Sequence, residues 1–298
     1  MIEIPKIELK PEPQQQDFDF KKIHDLQFID IDEVLKPQPV AISIGSSKYK
    51  GQNYPIPFGS YGDFSCIVGA SKSKKTFLKS LLTACYIGGN SNIYASEIKG
   101  HNVGKKWIID IDTEQSQFHA QRVFRRVAEM VGSNPINYKP FALRTLSANE
   151  RFKFIDWIFN ESKYKGNIGL LIIDGVADLV SDVNDLEKSN EVSQKLLEWS
   201  GKENCHIITV LHRNFGSAKP TGHLGSSVLK KAETVVFVEK EDEAVLVTSE
   251  YSRNQPFENF VFAIDENWLP YVFDENKQSK EIQSMFNTIF KNKTKPNF

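Results

Sequence analysis

Cysteine is scarce in this 298-residue chain. There are three, Cys66, Cys85 and Cys205, far apart and each in an apolar stretch. That spacing excludes a disulfide framework and a clustered metal site, and it reads as buried thiols in a reducing compartment. Charge of one sign is lacking too, since 37 Lys and Arg face 38 Asp and Glu for a formal net charge of −1. No global field marks a nucleic-acid binder, so any such surface must be a local patch. No apolar run approaches the roughly 20 residues of a membrane-spanning helix, and the opening Met-Ile-Glu-Ile-Pro-Lys has no hydrophobic signal core. A cytoplasmic protein without a membrane partner is expected. No internal repeat is visible. With 40% hydrophobic and 25% charged residues, the chain has the makings of a sizeable core in one large domain or two modest ones.

What is present centres on Phe64 to Ile87, FSCIVGASKSKKTFLKSLLTACYI. The apolar run FSCIV predicts a buried strand. Phe77, Leu78, Leu81, Leu82 and Cys85, at three- and four-residue spacing, predict a helix that Gly88-Gly89 stops. Between them lies Gly69-Ala70-Ser71-Lys72-Ser73-Lys74-Lys75-Thr76. A Walker A loop needs Gly, four residues, then Gly-Lys-Ser/Thr, because successive backbone N–H groups must turn inward around phosphates at a helix N-terminus. Gly69 fits as the turn-former, Lys75 as the cation for the β- and γ-phosphates, and Thr76 as a hydroxyl ligand of Mg²⁺. Lys74 stands where the pattern has its second Gly, in a geometry that Gly adopts most cheaply. The loop alone also suits a solvated Lys/Ser-rich turn, and residues downstream decide between the two.

Three regions follow from composition. Residues 1–36, with Pro5, Pro11, Pro13 and the run Gln14-Gln15-Gln16, read as an arm or linker; an oligomerisation strap and a plain leader are both open. Residues 37–275 form the body, and 276–298 a short helix at Ser279 to Phe290 and a basic tail. In the body, the strand VAISI and a Gly/Asn/Pro-rich turn, between Pro39 and Pro57, are expected to begin the core sheet. WIIDI (Trp107 to Ile111) predicts a second buried strand, ending in Asp112-Thr113-Glu114. A helix follows from Ser116 to the stop at Gly132, and another opens at Ser147 with a capping box to Glu150. NIGLLIIDG predicts a third buried strand ending at Asp174, in the form of a Walker B segment. A long polar helix, Leu186 to Lys202, leads to HIITVLHRN, a fourth strand that ends at His212. The loop RNFGSAKPTGHLGSS reads as surface, the next strand is TVVFVEK, and AVLVTSE with ENFVFAID predict an antiparallel hairpin joined by YSRNQPF. Strands that are apolar throughout and alternate with helices imply a mainly parallel α/β sheet covered on both faces.

In such a sheet ligands gather at the C-terminal strand ends. Lys75 and Thr76, Glu114, Asp174 and His212 follow four of those ends. The set suits metal-assisted hydrolysis of a γ-phosphate, with Asp174 holding Mg²⁺ and Glu114 positioning or deprotonating the attacking water. Singly, each has a plainer role: Asp112 and Glu114 as solvated strand-end carboxylates, Asp174 as the opening of a turn, His212 as a structural histidine.

Together these features resemble the RecA-like ATPases, the superfamily of the RecA/RadA recombinases and the DnaB- and RepA-type ring helicases, over about Pro39 to Phe273. IDTEQSQFHAQRVFRRVAEMVG is similar to the RadA-type strand with its catalytic Glu, LLIIDGVADL to the Walker B segment, and KPTGHLGSSVLKKAETVVFVEK to the second DNA-binding loop and the strand after it. The resemblance implies a RecA-like core with a C-terminal antiparallel β-hairpin, and ATP and Mg²⁺ as cofactors. It implies Glu114 as general base, Asp174 as the magnesium residue and His212 as γ-phosphate sensor, with Arg253 as an arginine finger aimed at a neighbouring subunit's nucleotide. It also implies a channel-lining loop from Arg213 to Ser227, with Arg213, Lys219, Lys230 and Lys231 meeting the phosphates of single-stranded DNA. The function implied is an ATP-dependent DNA motor, a RepA/DnaB-type helicase replicating a bacterial or mobile-element genome. Its partners would be copies of itself, in a hexameric ring or a filament, and a primase or replication initiator. A RecA/RadA-like filament ATPase and a nucleotide-switched assembly or regulatory protein are the alternatives. Departures from the family pattern are Lys74 for Gly, Tyr251 where a Lys often stands two residues before the finger, and a His at the sensor position, which is helicase-like where recombinases usually have Gln. No primase, zinc or helix-turn-helix module precedes the core, as in a stand-alone motor domain.

Overall fold

A computed structural model describes residues 19–213 and 222–273. The chain divides into two units, Met1–Pro37 and Gln38–Phe298. In the first, Asp19 caps helix α1 (Phe20–Gln27) by accepting from the Lys22 N–H at 2.9 Å, and no residue of the helix is buried.

The second unit starts with an antiparallel pair, β1 (Val40–Tyr49) and β2 (Gln52–Ser60), then β3 (Phe64–Gly69) and helix α2 (Lys75–Ile87). Next come β4 (Ile98–Gly100), β5 (Trp107–Asp112), α3 (Gln117–Val131), β6 (Tyr138–Ala142), α4 (Ala148–Asn160) and β7 (Ile168–Asp174). Helix α5 (Leu186–Glu203), β8 (His206–His212), α6 (Gly222–Lys231) and β9 (Thr234–Glu241) follow, then β10 (Ala244–Ser252), β11 (Phe260–Ile264) and β12 (Pro270–Val272). The expected stops and caps are present: Gly132 ends α3 at φ 77°, and Ser147 and Glu150 form the capping box of α4.

Nine strands make one sheet in the order β12-β11-β10-β9-β3-β8-β7-β5-β6. β9 through β6 run parallel, and β10, β11 and β12 continue the sheet antiparallel. If β3, β5, β7, β8 and β9 are numbered one to five along the chain, they lie across the sheet as five, one, four, three, two. This is a mainly parallel α/β core with an antiparallel extension, with the loop strand β3 central and its end flanked by the ends of β8 and β9.

Alternation along each strand divides the core into two layers. Ile67, Ile172 and Val210 face Leu78, Leu81 and Leu82 of α2 and Val127 of α3 on one side. Cys66, Val68 and Leu171 face Ile155 of α4, Leu196 of α5 and Val228 of α6 on the other. Sandwiching the sheet this way leaves only its strand ends open to ligands.

Two expectations need correction, and two strands were not foreseen. VAISI does not begin the core sheet: β1 pairs with β2 and β4 in a separate three-stranded antiparallel sheet, whose Ile42, Ile44 and Phe58 join the α2 layer. The polar stretch after α2 contains β4, and β6 forms at the sheet margin although its Pro140 lacks an N–H, which an outermost strand tolerates. The loop expected from Arg213 to Ser227 is helical from Gly222, where α6 starts. The helix expected at Ser279 to Phe290 and the basic tail lie outside the described residues.

Candidate nucleotide site

Strand β3 ends at Gly69, and the chain reaches α2 through a loop with two left-handed residues, Lys72 at φ 63° and Lys74 at φ 71°. Lys74 is thus in the conformation that the Walker A pattern reserves for Gly. Its ammonium lies 5.3 Å from the ring centre of Phe77 and 5.8 Å from that of Trp268, and Arg126 covers Phe77 at 3.7 Å. These cation–aromatic contacts stabilise a residue whose backbone costs about 1 kcal/mol or more there. At Gly69 a β-carbon would come within 2.5 Å of Ser73 Oγ and 2.6 Å of the Val238 carbonyl, so the turn admits only Gly.

Lys75 is buried, and its Nζ donates to the carbonyls of Gly69 at 2.9 Å and Ala70 at 2.8 Å and sits 3.2 Å from His212 Nδ1. Burial lowers its pKa, while Asp174 and Glu114 pull it back up. His212 Nε2 is 3.0 Å from Glu114 Oε1. That hydrogen bond, opposed by burial and helped by the charges of His212 and Lys75, holds the Glu114 carboxyl below the usual carboxylate range. The phosphate-loop lysine, the fourth-strand histidine and the second-strand glutamate therefore form one chain of contacts.

Asp174 lies at the C-terminal end of β7, in register with Asp112 of β5 and Val210 of β8. Its Oδ2 is buried without a hydrogen-bond partner, as is Ser73 Oγ. Burial first, then Asp112, Glu114 and Asp110, push its pKa up to about 6 against the opposing pull of Lys79. Asp112 is not the solvated carboxylate of its plainer alternative. It is 1% exposed, and its Oδ1 accepts from the N–H groups of Glu114 at 3.0 Å and Gln115 at 2.7 Å, which aims the turn bearing Glu114. Thr113 Oγ1 accepts from the Gly175 N–H at 2.8 Å and donates to Asp178 at 2.7 Å, tying this turn to the one after β7.

Sequence reasoning missed Lys79, one turn along α2 from Lys75. It is fully buried, 2.9 Å from Asp110 and 3.9 Å from Asp174, and the Tyr138 hydroxyl donates to Asp110 at 2.6 Å. Burial opposes its charge, but Asp110, Asp174 and Asp112 outweigh that and raise its pKa. The available signal was Asp110 inside the apolar run WIIDI, since a buried carboxylate demands a cationic or hydrogen-bonding partner.

The remaining candidates are dispersed. Arg213 follows β8 beside the loop and pairs with Glu239 at 3.0 Å. Together with Ala70 to Ser73 and Val238 to Glu241 it lines a pocket of about 520 Å³. Lys219 lies outside the described residues. Lys230 and Lys231 close α6 beside the N-terminal ends of β3 and β9, where Lys231 donates to Ser193 Oγ at 3.0 Å; the structure does not bring them together with Arg213. Arg253 lies at those N-terminal strand ends too. Its Nη1 donates to Asp63 at 3.1 Å, its Nη2 to the Lys231 carbonyl at 2.6 Å, and its backbone N–H to the Glu233 carbonyl at 2.9 Å. The Glu233 side chain is buried and accepts from the Ser60 N–H at 2.7 Å, the Ser60 hydroxyl at 2.6 Å and Asn254 Nδ2 at 2.7 Å. Within one chain, then, Arg253 sits at the far end of the sheet from Lys75.

No protein-family model matches the chain, and no curated protein does. Among solved structures it is similar to the crystal structure of the RadB recombinase, at 18% identity and a TM-score of 0.49, over 71% of this chain and 91% of that one.

Proposed function

We propose that the protein is an ATPase that hydrolyses ATP at the interface between copies of itself and couples turnover to DNA, as a ring-forming helicase does. The observation that carries this reading is the contact chain Lys75–His212–Glu114 at the mouth of β3, beside Asp174 Oδ2 and Ser73 Oγ, which are buried without hydrogen-bond partners. Those two orphaned oxygens and the Gly69 turn fit a triphosphate with Mg²⁺. The backbone of Gly69, Ala70, Ser71, Lys72, Ser73 and Lys74 would wrap the phosphates, Lys75 would exchange a carbonyl for a phosphate oxygen, and Thr76 and Asp174 would hold the metal. Bound there, Mg²⁺ supplies charge neutralisation of the phosphates.

The Glu114 carboxyl, held below the usual range by its hydrogen bond with His212, is ionised at neutral pH and can accept a hydrogen bond from water and orient it. His212 touches both Glu114 and Lys75, so a γ-phosphate competing for either contact would shift it, and the chain continues from His212 directly to Arg213 and the loop read as DNA-binding. Arg253 cannot reach its own phosphate loop from the far strand ends, which supports its service to a neighbouring copy in a ring or filament. The order of features along the chain favours the helicase over the recombinase reading through the histidine at the sensor position. A primase or initiator as loading partner belongs to the same proposal.

The test separates binding from turnover. Lys75→Ala should lose nucleotide binding, whereas Glu114→Gln should bind ATP normally and hydrolyse it about 10² to 10⁴ times more slowly. Hydrolysis at the parent rate by Glu114→Gln would show that the strand-end assignment is wrong.

A further inference from the structure

The outer half of the β1–β2 pair serves no part of the core. β4 pairs with β1 only at Ile42, Ser43 and Ile44, and beyond it the two strands continue as a ribbon with the pairs Ser46–Pro55, Ser47–Tyr54, Lys48–Asn53 and Tyr49–Gln52. Lys50 and Gly51 close the ribbon with φ of 49° and 81°, the positive pair that a two-residue hairpin turn requires. Every residue from Lys48 to Pro55 is exposed. A two-stranded ribbon with water on both faces is marginal on its own, so its side chains call for a reason.

The ribbon combines exposed tyrosines with charges of one sign. The register puts Tyr49 and Tyr54 diagonally on one face, with ring centroids 6.4 Å apart at 63°, yet Tyr49 remains 63% and Tyr54 45% exposed. Lys50 Nζ lies 5.4 Å from the centre of the Tyr49 ring, and Lys48 points to the other face. From Val40 to Gly62 there is no Asp or Glu, and Lys48 and Lys50 are the only charges. Glu97 and Glu258 stay at the ribbon's root, lining a groove with Ser46 and Ser47. A cross-strand tyrosine pair stiffens a hairpin, but stiffening explains neither the exposed ring faces nor the one-signed tip.

We propose that the Ser46–Pro55 ribbon is a binding site for single-stranded polynucleotide, with bases stacking on Tyr49 and Tyr54 and a phosphate of the same strand meeting Lys50 at the turn. π-Faces for bases beside cations for the backbone are what a sequence-tolerant single-strand site needs. The site uses none of the residues read as DNA contacts after His212, and the proposal rests on the nucleic-acid reading of the protein only for its choice of ligand.

Fluorescence anisotropy with labelled oligo(dT) and oligo(rU), at several salt concentrations, tests it. Tyr49→Ala with Tyr54→Ala should weaken binding about 10- to 100-fold at every salt, and the corresponding Phe pair should restore it. Lys50→Ala should lower the slope of log K against log salt by about 0.7, the share of one phosphate contact, and Lys48→Ala, on the other face, should leave the slope unchanged. The preferred oligomer identifies the sugar. Ultraviolet cross-linking of the unmodified protein to the same oligomers, with peptide mapping, should tag Tyr49 or Tyr54, and this arm does not depend on any variant folding. Parent affinity in the Tyr49→Ala, Tyr54→Ala protein and parent slope in Lys50→Ala, or cross-links confined to other peptides, would overturn the ribbon. If Arg213→Ala alone weakens binding, the ribbon falls and the loop reading stands; if the unmodified protein holds neither oligomer, both fall.

Discussion

Replacing Asp174 by Asn should stabilise the protein at neutral pH while stopping its turnover. The carboxyl is buried at the end of β7 with one oxygen unpartnered, and its pKa is raised from 3.8 to about 6. In the unfolded chain the group ionises near the lower value. Its proton therefore stabilises the native state fully below about pH 4, and that contribution is lost as pH rises towards and through 6. Two units at about 1.4 kcal/mol each set the cost of keeping Asp174 ionised at pH 7 near 3 kcal/mol, falling to about 1.5 at pH 5 and about 0.5 at pH 4. Asparagine carries no charge to desolvate. For a body of this size the difference at pH 7 corresponds to roughly 6–12 °C in Tm. Thermal melts of both proteins from pH 4 to 8, without nucleotide or metal, give the answer. The gap should widen with pH and level off above 6. If Asp174→Asn melts with or below the parent at pH 7, Asp174 is already compensated in the native protein and the description of it as an unsatisfied, function-ready carboxylate is wrong.

Arg253→Ala should bind ATP and assemble yet hydrolyse about 10³-fold or more slowly. Mixing it with Glu114→Gln should restore turnover at interfaces that join an intact Glu114 to an intact Arg253, and mixed assemblies that stay inactive would exclude a shared site. Asp63→Asn, which removes the carboxylate holding Arg253, should lose less activity and be complemented by the same partner; a loss that no mixture rescues would assign Asp63 to folding alone. At the phosphate loop, Lys74→Gly should be more stable to urea than Lys74→Ala by about 1 kcal/mol, because both lose the Phe77 and Trp268 contacts but only Gly relaxes at positive φ. Equal midpoints would mean that the left-handed loop carries no strain.

The parallel core was legible because β3, β5, β7 and β8 are nearly uniformly apolar and alternate with helices, the pattern of a sheet covered on both faces. The strand ends carrying Lys75, Glu114, Asp174 and His212 were legible for the same reason. VAISI has the same apolar character, and period alone cannot say which sheet a strand joins. β6 escaped notice because Lys139 and Pro140 break its pattern, and its place depends on an edge register with β5 that is set by tertiary packing. Lys79 was hidden by its setting, since a lysine in a lysine-rich segment looks solvated until Asp110 is seen beneath it. The plainer reading of Asp112 stayed open for the converse reason: a strand-end carboxylate resembles a surface one until the backbone N–H groups that curl over it are in place. The ribbon from Ser46 to Pro55 looked like a mere turn, because a hairpin whose faces are both wet has no hydrophobic alternation to announce it.

Glu233 fastens two things at once. Its carboxylate grips Ser60, just before the chain enters β3, and Asn254, next to Arg253, while its backbone N–H bonds Phe64 at the foot of β3 itself. The turn bearing Arg253 is thus bolted to one end of a strand whose other end is the phosphate loop. β3 has six residues, about 20 Å of extended chain, and it is clamped between β8 and β9 along its length. A load placed on that turn has no slack joint in which to dissipate, and it enters β3 as it would enter a strut.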